Sequence, residues 1–152
     1  MIPRMIVPVV LATLLGCSSR SPHPGGPAPK SFDPADHAAI CEAVFRHLFE
    51  DNNSAAQKEA KAFFLTMEDK DPQDPFLARF ASHPIPVRKG SEFEIGKGLR
   101  FTVERIDRID DDTADVHCGY YEHQLSAAGY ILRVERSGGG WTVTKLTMLW
   151  IS

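Results

Sequence analysis

Four segments in the last third of the chain alternate apolar and polar residues, and this pattern limits the fold more than any other feature. A period of two is that of a β-strand with one buried face. Turn-forming sequences at 110–112 and 137–140 separate segments, which predicts antiparallel neighbours. The apolar positions of the first three segments are Leu99, Phe101 and Val103, then Ala114, Val116, Cys118 and Tyr120, and then Tyr130, Leu132 and Val134.

In the fourth segment the alternation changes phase. Trp141 and Val143 set one phase, whereas Leu146, Met148 and Trp150 follow the other. One extra residue in a strand produces such a shift, so we predict a β-bulge near Lys145. The pattern also predicts that Trp150 is buried, and that its replacement by alanine costs about 3–5 kcal/mol.

The apolar side of these strands must be shielded from water, and residues 34–51 are predicted to form a helix that shields it. Asp33 is suited to be the N-cap of a helix and Pro34 its first residue. Two apolar rows with four-residue spacing then form a stripe about 100° wide, as on a helix that lies on a sheet. The rows are Ile40, Val44 and Leu48, and Cys41, Phe45 and Phe49.

Between helix and strands, residues 63–67 favour a strand, although strong helix formers precede them. Asp74-Pro75 begins a short helix to about Ser82, and the prolines of 83–86 require an extended loop. We therefore predict an α+β fold, with an N-terminal amphipathic helix packed on a curved, mostly antiparallel sheet of four or five strands. This order of elements resembles the cystatin-like and NTF2-like group.

A local resemblance concerns the stretch GYYEHQLSAAGYILRV and the ending WIS. It is similar to the C-terminal half of uncharacterised bacterial proteins that share Gly-Tyr-Tyr-Glu and Trp-Ile-Ser landmarks. This resemblance implies no activity. A cystatin-like peptidase inhibitor is a weaker interpretation, since the Gln-x-Val-x-Gly loop is missing from the sequence.

The first 16 residues are typical of a signal peptide, with Arg4 ahead of a short apolar run. Leu14-Leu15-Gly16-Cys17 resembles the lipobox of bacterial lipoprotein precursors, which implies acyl chains on Cys17 and cleavage after Gly16. A plain signal peptide or a short membrane anchor is the alternative. Ser18 stands where an inner-membrane retention aspartate would stand, so resemblance to Gram-negative lipoproteins favours the periplasmic face of the outer membrane.

Residues 17–31 contain the lipidated cysteine and a spacer rich in Pro, Gly and Ser, which cannot bury enough apolar surface to fold. Residues 32–152 are long enough for one domain. The formal net charge is −3, and long basic runs are missing from the sequence, so nucleic acid is not an expected partner. The expected partners are the membrane, through the lipid, and an envelope protein or small ligand.

Cys41 and Cys118 both occupy apolar faces, the first on the helix and the second on a strand. Export places them in an oxidising compartment, where a disulfide would contribute about 2–4 kcal/mol. The alternative is a pair of free thiols that pack as small apolar groups.

The polar side of the central strands is a candidate ligand face, with Tyr121 flanked by two histidines. It would suit an anionic or sugar-like ligand, or acid–base catalysis. An ordinary solvated face with cross-strand pairs is the alternative. The residues on this face are His117, Tyr121, His123, Arg133 and Glu135.

The sequence contains no cofactor-binding motif, and its histidines are too scattered to predict a metal site. The leading hypothesis is a lipid-anchored cell-envelope protein with a small, non-catalytic ligand- or protein-binding domain. The alternative is a small NTF2-like pocket enzyme that uses Tyr121 with His117, His123 or Glu122. A deep pocket with converging polar groups would favour the enzyme.

Overall fold

The computed structural model describes residues 31–51 and 59–152. The predicted signal peptide, Cys17 and nearly all of the spacer lie outside these residues. Helix α1 spans Pro34–Asp51, and the backbone N–H groups of Ala35 and Asp36 donate to Asp33 Oδ1 at 2.9 and 2.8 Å. This contact confirms the predicted N-cap. Both predicted apolar rows of α1 are buried.

Within residues 31–51 and 59–152 the sheet has six strands, one or two more than predicted. Its spatial order is β2-β1-β3-β4-β5-β6, and β1 runs parallel to both of its neighbours, whereas all other pairs are antiparallel. The strands are β1 (Phe63–Met67), β2 (Val87–Lys89), β3 (Leu99–Arg108), β4 (Thr113–His123), β5 (Ser126–Ser137) and β6 (Gly140–Ile151).

The sixth strand is the short β2, which follows the predicted proline loop and pairs with β1 at the sheet edge. A second helix, α2, spans Asp74–Leu77 and continues as a 3₁₀ turn over Ala78–Phe80, close to the predicted short helix. The α+β class is therefore confirmed, with one long helix on a mostly antiparallel open sheet.

The core lies between α1 and one face of the sheet, which we call the covered face. Phe101 on β3 is 0% exposed, and its ring centroid lies 5.1 Å from those of Phe49 on α1 and Phe63 on β1. The predicted inward positions of β3, β4 and β5 all face this core; Tyr120 and Tyr130 are half-buried at its edge. The opposite face we call the open face.

Two bulges interrupt β6. The pairing shifts between Val143 and Lys145, which confirms the bulge predicted near Lys145. A second shift, between Met148 and Trp150, makes Leu149 an extra residue. Because one added residue reverses the face of all that follow, Trp150 points to the open face and is 51% exposed. The prediction that Trp150 is buried is therefore wrong.

Candidate functional site

A groove of about 550 Å³ lies on the open face and runs across the strands. Its central row follows the pairing register through Thr66, Thr102, Gly119, Gly129 and Trp150, one residue from each of β1, β3, β4, β5 and β6. Neighbouring strands are about 4.8 Å apart, so the row extends about 14 Å from Thr66 to Gly129. We call this site the cross-strand groove.

Two facing glycines form the floor. A Cβ on Gly119 would lie 2.4 Å from the carbonyl oxygen of Ala128, and a Cβ on Gly129 would lie 2.3 Å from Trp150 Nε1 and 2.6 Å from its Cε2. The indole of Trp150 therefore lies directly on the backbone of Gly129. Only a residue without a side chain lets an aromatic ring rest on the sheet in this way.

Three charged side chains border the groove without an ion pair inside the described ranges 31–51 and 59–152. They are Arg100 and Glu104 on β3, and Asp69 in the turn after β1. Arg100, Thr102 and Glu104 alternate along one strand, so a cation, a hydroxyl and an anion follow each other across the width of the groove. Unpaired charges around a cavity are available to a ligand.

Arg100 lies against two neighbouring aromatic rings, whose centroids are 5.9 Å apart. Its guanidinium carbon lies 5.3 Å from the ring centroid of Phe93 and 5.4 Å from that of Tyr121. Phe93 also covers Phe64, whose ring centroid is 5.5 Å away. The loop that carries Phe93 therefore closes one end of the open face and fixes Arg100 by cation–π contacts.

Tyr121 lines the groove, whereas His117 does not lie beside it. Four residues along β4 separate the two, which is about 13 Å. His117 Nε2 lies 2.6 Å from Arg105 Nη2 and 3.1 Å from Asp107 Oδ2. The two side chains share the open face, as the alternation of β4 predicts, but they do not form one constellation.

The remaining members of the predicted ligand face are also spread out. Arg133 donates to both carboxylate oxygens of Asp115, at 2.7 and 2.8 Å, and this bond lowers the pKa of Asp115. Glu135 is exposed near the far end of β5. His123 is exposed at the end of β4, where its Nδ1 accepts from the backbone N–H of Leu125 at 3.2 Å. These contacts are those of a solvated sheet face.

A second cavity, of about 260 Å³, lies on the covered face beside the last turn of α1. Leu48, Leu146 and Met148 make its apolar part, and Tyr130 lies at its edge, where burial raises the pKa of the phenol. Tyr121 does not line this cavity, because it faces the other side of the sheet and borders the cross-strand groove.

Cys41 and Cys118 are free thiols in the structure, and both are buried in the core. Both pack as small apolar groups, and the disulfide that the sequence allows stays a prediction. Burial raises the pKa of each thiol to about 12. Thiolates are therefore strongly disfavoured at both positions.

Sequence reasoning placed Tyr121 at the site but missed Arg100, Glu104, Trp150 and the glycine floor. Their proximity depends on which residues oppose each other between strands, and a sequence read one segment at a time does not contain that register. The single available signal is that Gly119 and Gly129 interrupt two otherwise regular strands.

Comparison with known proteins found no family profile, no curated protein and no solved structure that matches this chain. Within the two described ranges, no group of three or more His, Cys, Asp or Glu side chains is arranged to hold a metal ion. Helices long and apolar enough to cross a membrane do not occur in that same part of the chain.

Proposed function

We propose that this chain is a lipid-anchored cell-envelope protein whose domain is non-catalytic and binds a small polar ligand in the cross-strand groove. The observation that carries the ligand-binding role is that Arg100, Glu104 and Asp69, without ion pairs inside the described residues, line one groove together with a half-exposed tryptophan. Charges without partners add nothing to the core, but they can orient a ligand.

The anchoring part of the proposal is supported by the sequence before α1. Cys17 follows a lipobox-like Leu-Leu-Gly, and residues 18–31 favour an extended polyproline chain. At about 3.1 Å per residue, such a spacer would hold the domain about 40 Å from the membrane surface. Two or three acyl chains are enough for stable anchoring. We propose the periplasmic face of the outer membrane as the location in a Gram-negative host.

We also propose that the domain belongs to the cystatin-like and NTF2-like group. The support is one long helix on one face of a sheet whose last four strands follow each other as antiparallel neighbours. A non-catalytic role is supported by the separation of Tyr121 from His117 and by the polar contacts that already involve His117 and Arg133.

Replacing Cys17 with serine tests the anchor. We expect the variant to lose incorporation of radiolabelled palmitate and to keep its signal peptide, whereas the Cys41→Ser control keeps both lipid and cleavage. The measurement is acyl labelling with intact mass. Unlipidated wild-type protein would contradict the proposal.

Replacing Ser18 with aspartate tests the location independently. By resemblance to Gram-negative lipoproteins, we expect the variant to move from the outer-membrane to the inner-membrane fraction, and Ser19→Asp to serve as the control. Equal distribution of the two variants would contradict the proposed outer-membrane location.

Calorimetric titration of the full chain in detergent tests the groove. The probes are the tripeptide trialanine, the polyamine spermidine and the acidic disaccharide N-acetylglucosaminyl-N-acetylmuramic acid. We expect at least one probe to bind wild type and to bind Trp150→Ala at least about tenfold more weakly, since the contact between the probe and the indole is lost. Binding that Trp150→Ala leaves unchanged for every probe, or no binding at all, would contradict a ligand site in this groove.

A further inference from the structure

We propose that the cross-strand groove binds an acidic amino-sugar oligosaccharide, with one sugar ring on the indole of Trp150 and a sugar carboxylate at Arg100. This inference rests on the proposed ligand-binding function and names the ligand class for the same site.

The floor of the groove suits a flat, rigid ring. The indole of Trp150 lies on Gly129, and its neighbour in the row, Gly119, has no side chain either. This leaves a flat aromatic surface next to bare backbone, with no side chain standing between them. A pyranose ring has a flat face of C–H groups that can cover an indole, and its hydroxyls then point outward to the groove walls.

The position of the groove argues against an extended peptide. A bound peptide has main-chain N–H and C=O groups that need partners, and proteins usually supply these at the edge of a sheet. The floor of this groove belongs to β3, β4 and β5, whose main-chain groups already pair with each other. Only side chains are available to a ligand here, and side chains suffice to bind the hydroxyls of a sugar.

The groove walls offer the hydrogen-bonding groups that sugars use. Glu104 and Asp69 are carboxylates without an ion-pair partner among the described residues, and they can accept from sugar hydroxyls or an acetamido N–H. Thr66 and Thr102 add hydroxyls that both donate and accept. Hydrogen bonds to a charged acceptor are about twice as strong as neutral ones, so these carboxylates would dominate the binding of a polyol.

Arg100 determines the acidic character of the ligand. Its guanidinium is held by Phe93 and Tyr121 through cation–π contacts only, and within residues 31–51 and 59–152 it has no carboxylate partner. Those rings fix its position without neutralising its charge. A carboxylate on the ligand would complete a charge-assisted hydrogen bond at this end of the groove.

The dimensions favour a short oligosaccharide over a single sugar or amino acid. The row from Thr66 to Gly129 is about 14 Å long by strand spacing, which is longer than a single sugar ring.

The test uses three sugar probes on the full chain in detergent, measured by calorimetry. N-acetylglucosaminyl-N-acetylmuramic acid carries the lactyl carboxylate, and chitobiose is its counterpart without that group. Tri-galacturonate has carboxylates but no acetamido groups. We expect the acidic disaccharide to bind at least about tenfold more tightly than chitobiose, as is typical of one hydrogen bond to a charged group.

Two variants and their controls locate the binding. Arg100→Gln should bring the affinity for the acidic disaccharide down to that for chitobiose, whereas Lys97→Gln, which changes an exposed loop charge equally, should have no effect. Trp150→Ala should weaken both disaccharides by about tenfold or more. Leu149→Ala is its matched control, because Leu149 has the same 51% exposure one residue earlier. Circular dichroism and the urea midpoint show whether each variant is folded.

Each outcome decides between the proposals. Equal affinity for the acidic disaccharide and chitobiose overturns the role of Arg100. Tighter binding of tri-galacturonate than of either amino sugar overturns the amino-sugar class. If trialanine or spermidine binds in a Trp150-dependent way and none of the three sugars does, the glycan inference fails while the groove keeps its ligand-binding function. If neither sugars nor the other probes bind, both proposals fail.

Discussion

The two faces of the sheet are built from alternate residues of the same strands, yet they differ in almost every physical property. The covered face packs Phe63, Leu65 and Phe101 against α1, and all three are essentially inaccessible to water. The open face has a tryptophan laid on glycine backbone and charged side chains around a groove. Stability therefore comes mainly from one face, which leaves the other free to carry groups that a core would not tolerate.

The largest expected effect separates the two faces at adjacent residues of β3. Phe101→Ala removes a fully buried ring and should cost about 3–5 kcal/mol of unfolding free energy. Thr102→Ala, the next residue on the open face, should cost about 0.5 kcal/mol or less. The measurement is urea denaturation of both variants. Similar losses for the two would show that the open face also contributes to the core.

The covered face should also protect its thiols. Because burial raises the pKa of Cys41 and Cys118 from 9.0 to about 12, the thiolate population near pH 8 should fall about 1,000-fold. In a Cys17→Ser variant, we expect iodoacetamide to react negligibly with the native protein and with two thiols after denaturation without reductant. A denatured chain with no free thiol would show that the disulfide forms after all.

The glycine floor of the open face allows a finer comparison. A methyl group at Gly119 meets the carbonyl oxygen of Ala128, which cannot move without the strand, so Gly119→Ala should cost about 1–3 kcal/mol. A methyl group at Gly129 meets only the indole of Trp150, which can swing away. Gly129→Ala should therefore cost less in a urea titration but abolish sugar stacking. Equal losses of stability would mean that the indole of Trp150 cannot move aside, just as the carbonyl of Ala128 cannot.

The smallest effect concerns the Asp115–Arg133 pair on the open face. The hydrogen bond from Arg133 lowers the pKa of Asp115 below its ordinary value of 3.8. Its contribution is therefore fully present above pH 3.8 and is lost as the pH falls through the lowered pKa of the folded state. The stability difference between wild type and Asp115→Asn should shrink over that range. A difference that stays constant with pH would exclude the ion pair as its source.

The covered face was predictable from the sequence, and the open face largely was not. Burial imposes a period of two on β3 to β5 and two four-residue rows on α1, and these periods are visible within single segments. Strand β2 has only three residues, and its existence depends on pairing with β1, so no local pattern indicates it. The pairing of Gly119 with Gly129 likewise depends on the register between β4 and β5, so neither segment alone indicates it.

The residues before Trp150 explain why its side chain was predicted on the covered face and not on the open face. Met148, Leu149 and Trp150 are all apolar, so no polar residue between them marks a change of phase. The bulge at Leu149 became visible only from the pairing of β6 with β5. Where every residue of a strand end is apolar, the alternation rule carries no information about which side chain points inward.

The closure of α1 by β6 has a consequence for biosynthesis. The side chain of Asp36, in the first turn of the helix, accepts from Trp141 Nε1 at 3.2 Å, a contact that spans 105 positions of the chain. The ribosome synthesises α1 first and β6 last, so the apolar stripe of α1 stays exposed during most of translation. Such late closure slows folding and favours chaperone contact. In chains that start at Ser31, without the signal peptide, we expect those stalled before residue 140 to be retained by chaperones and complete ones to be released.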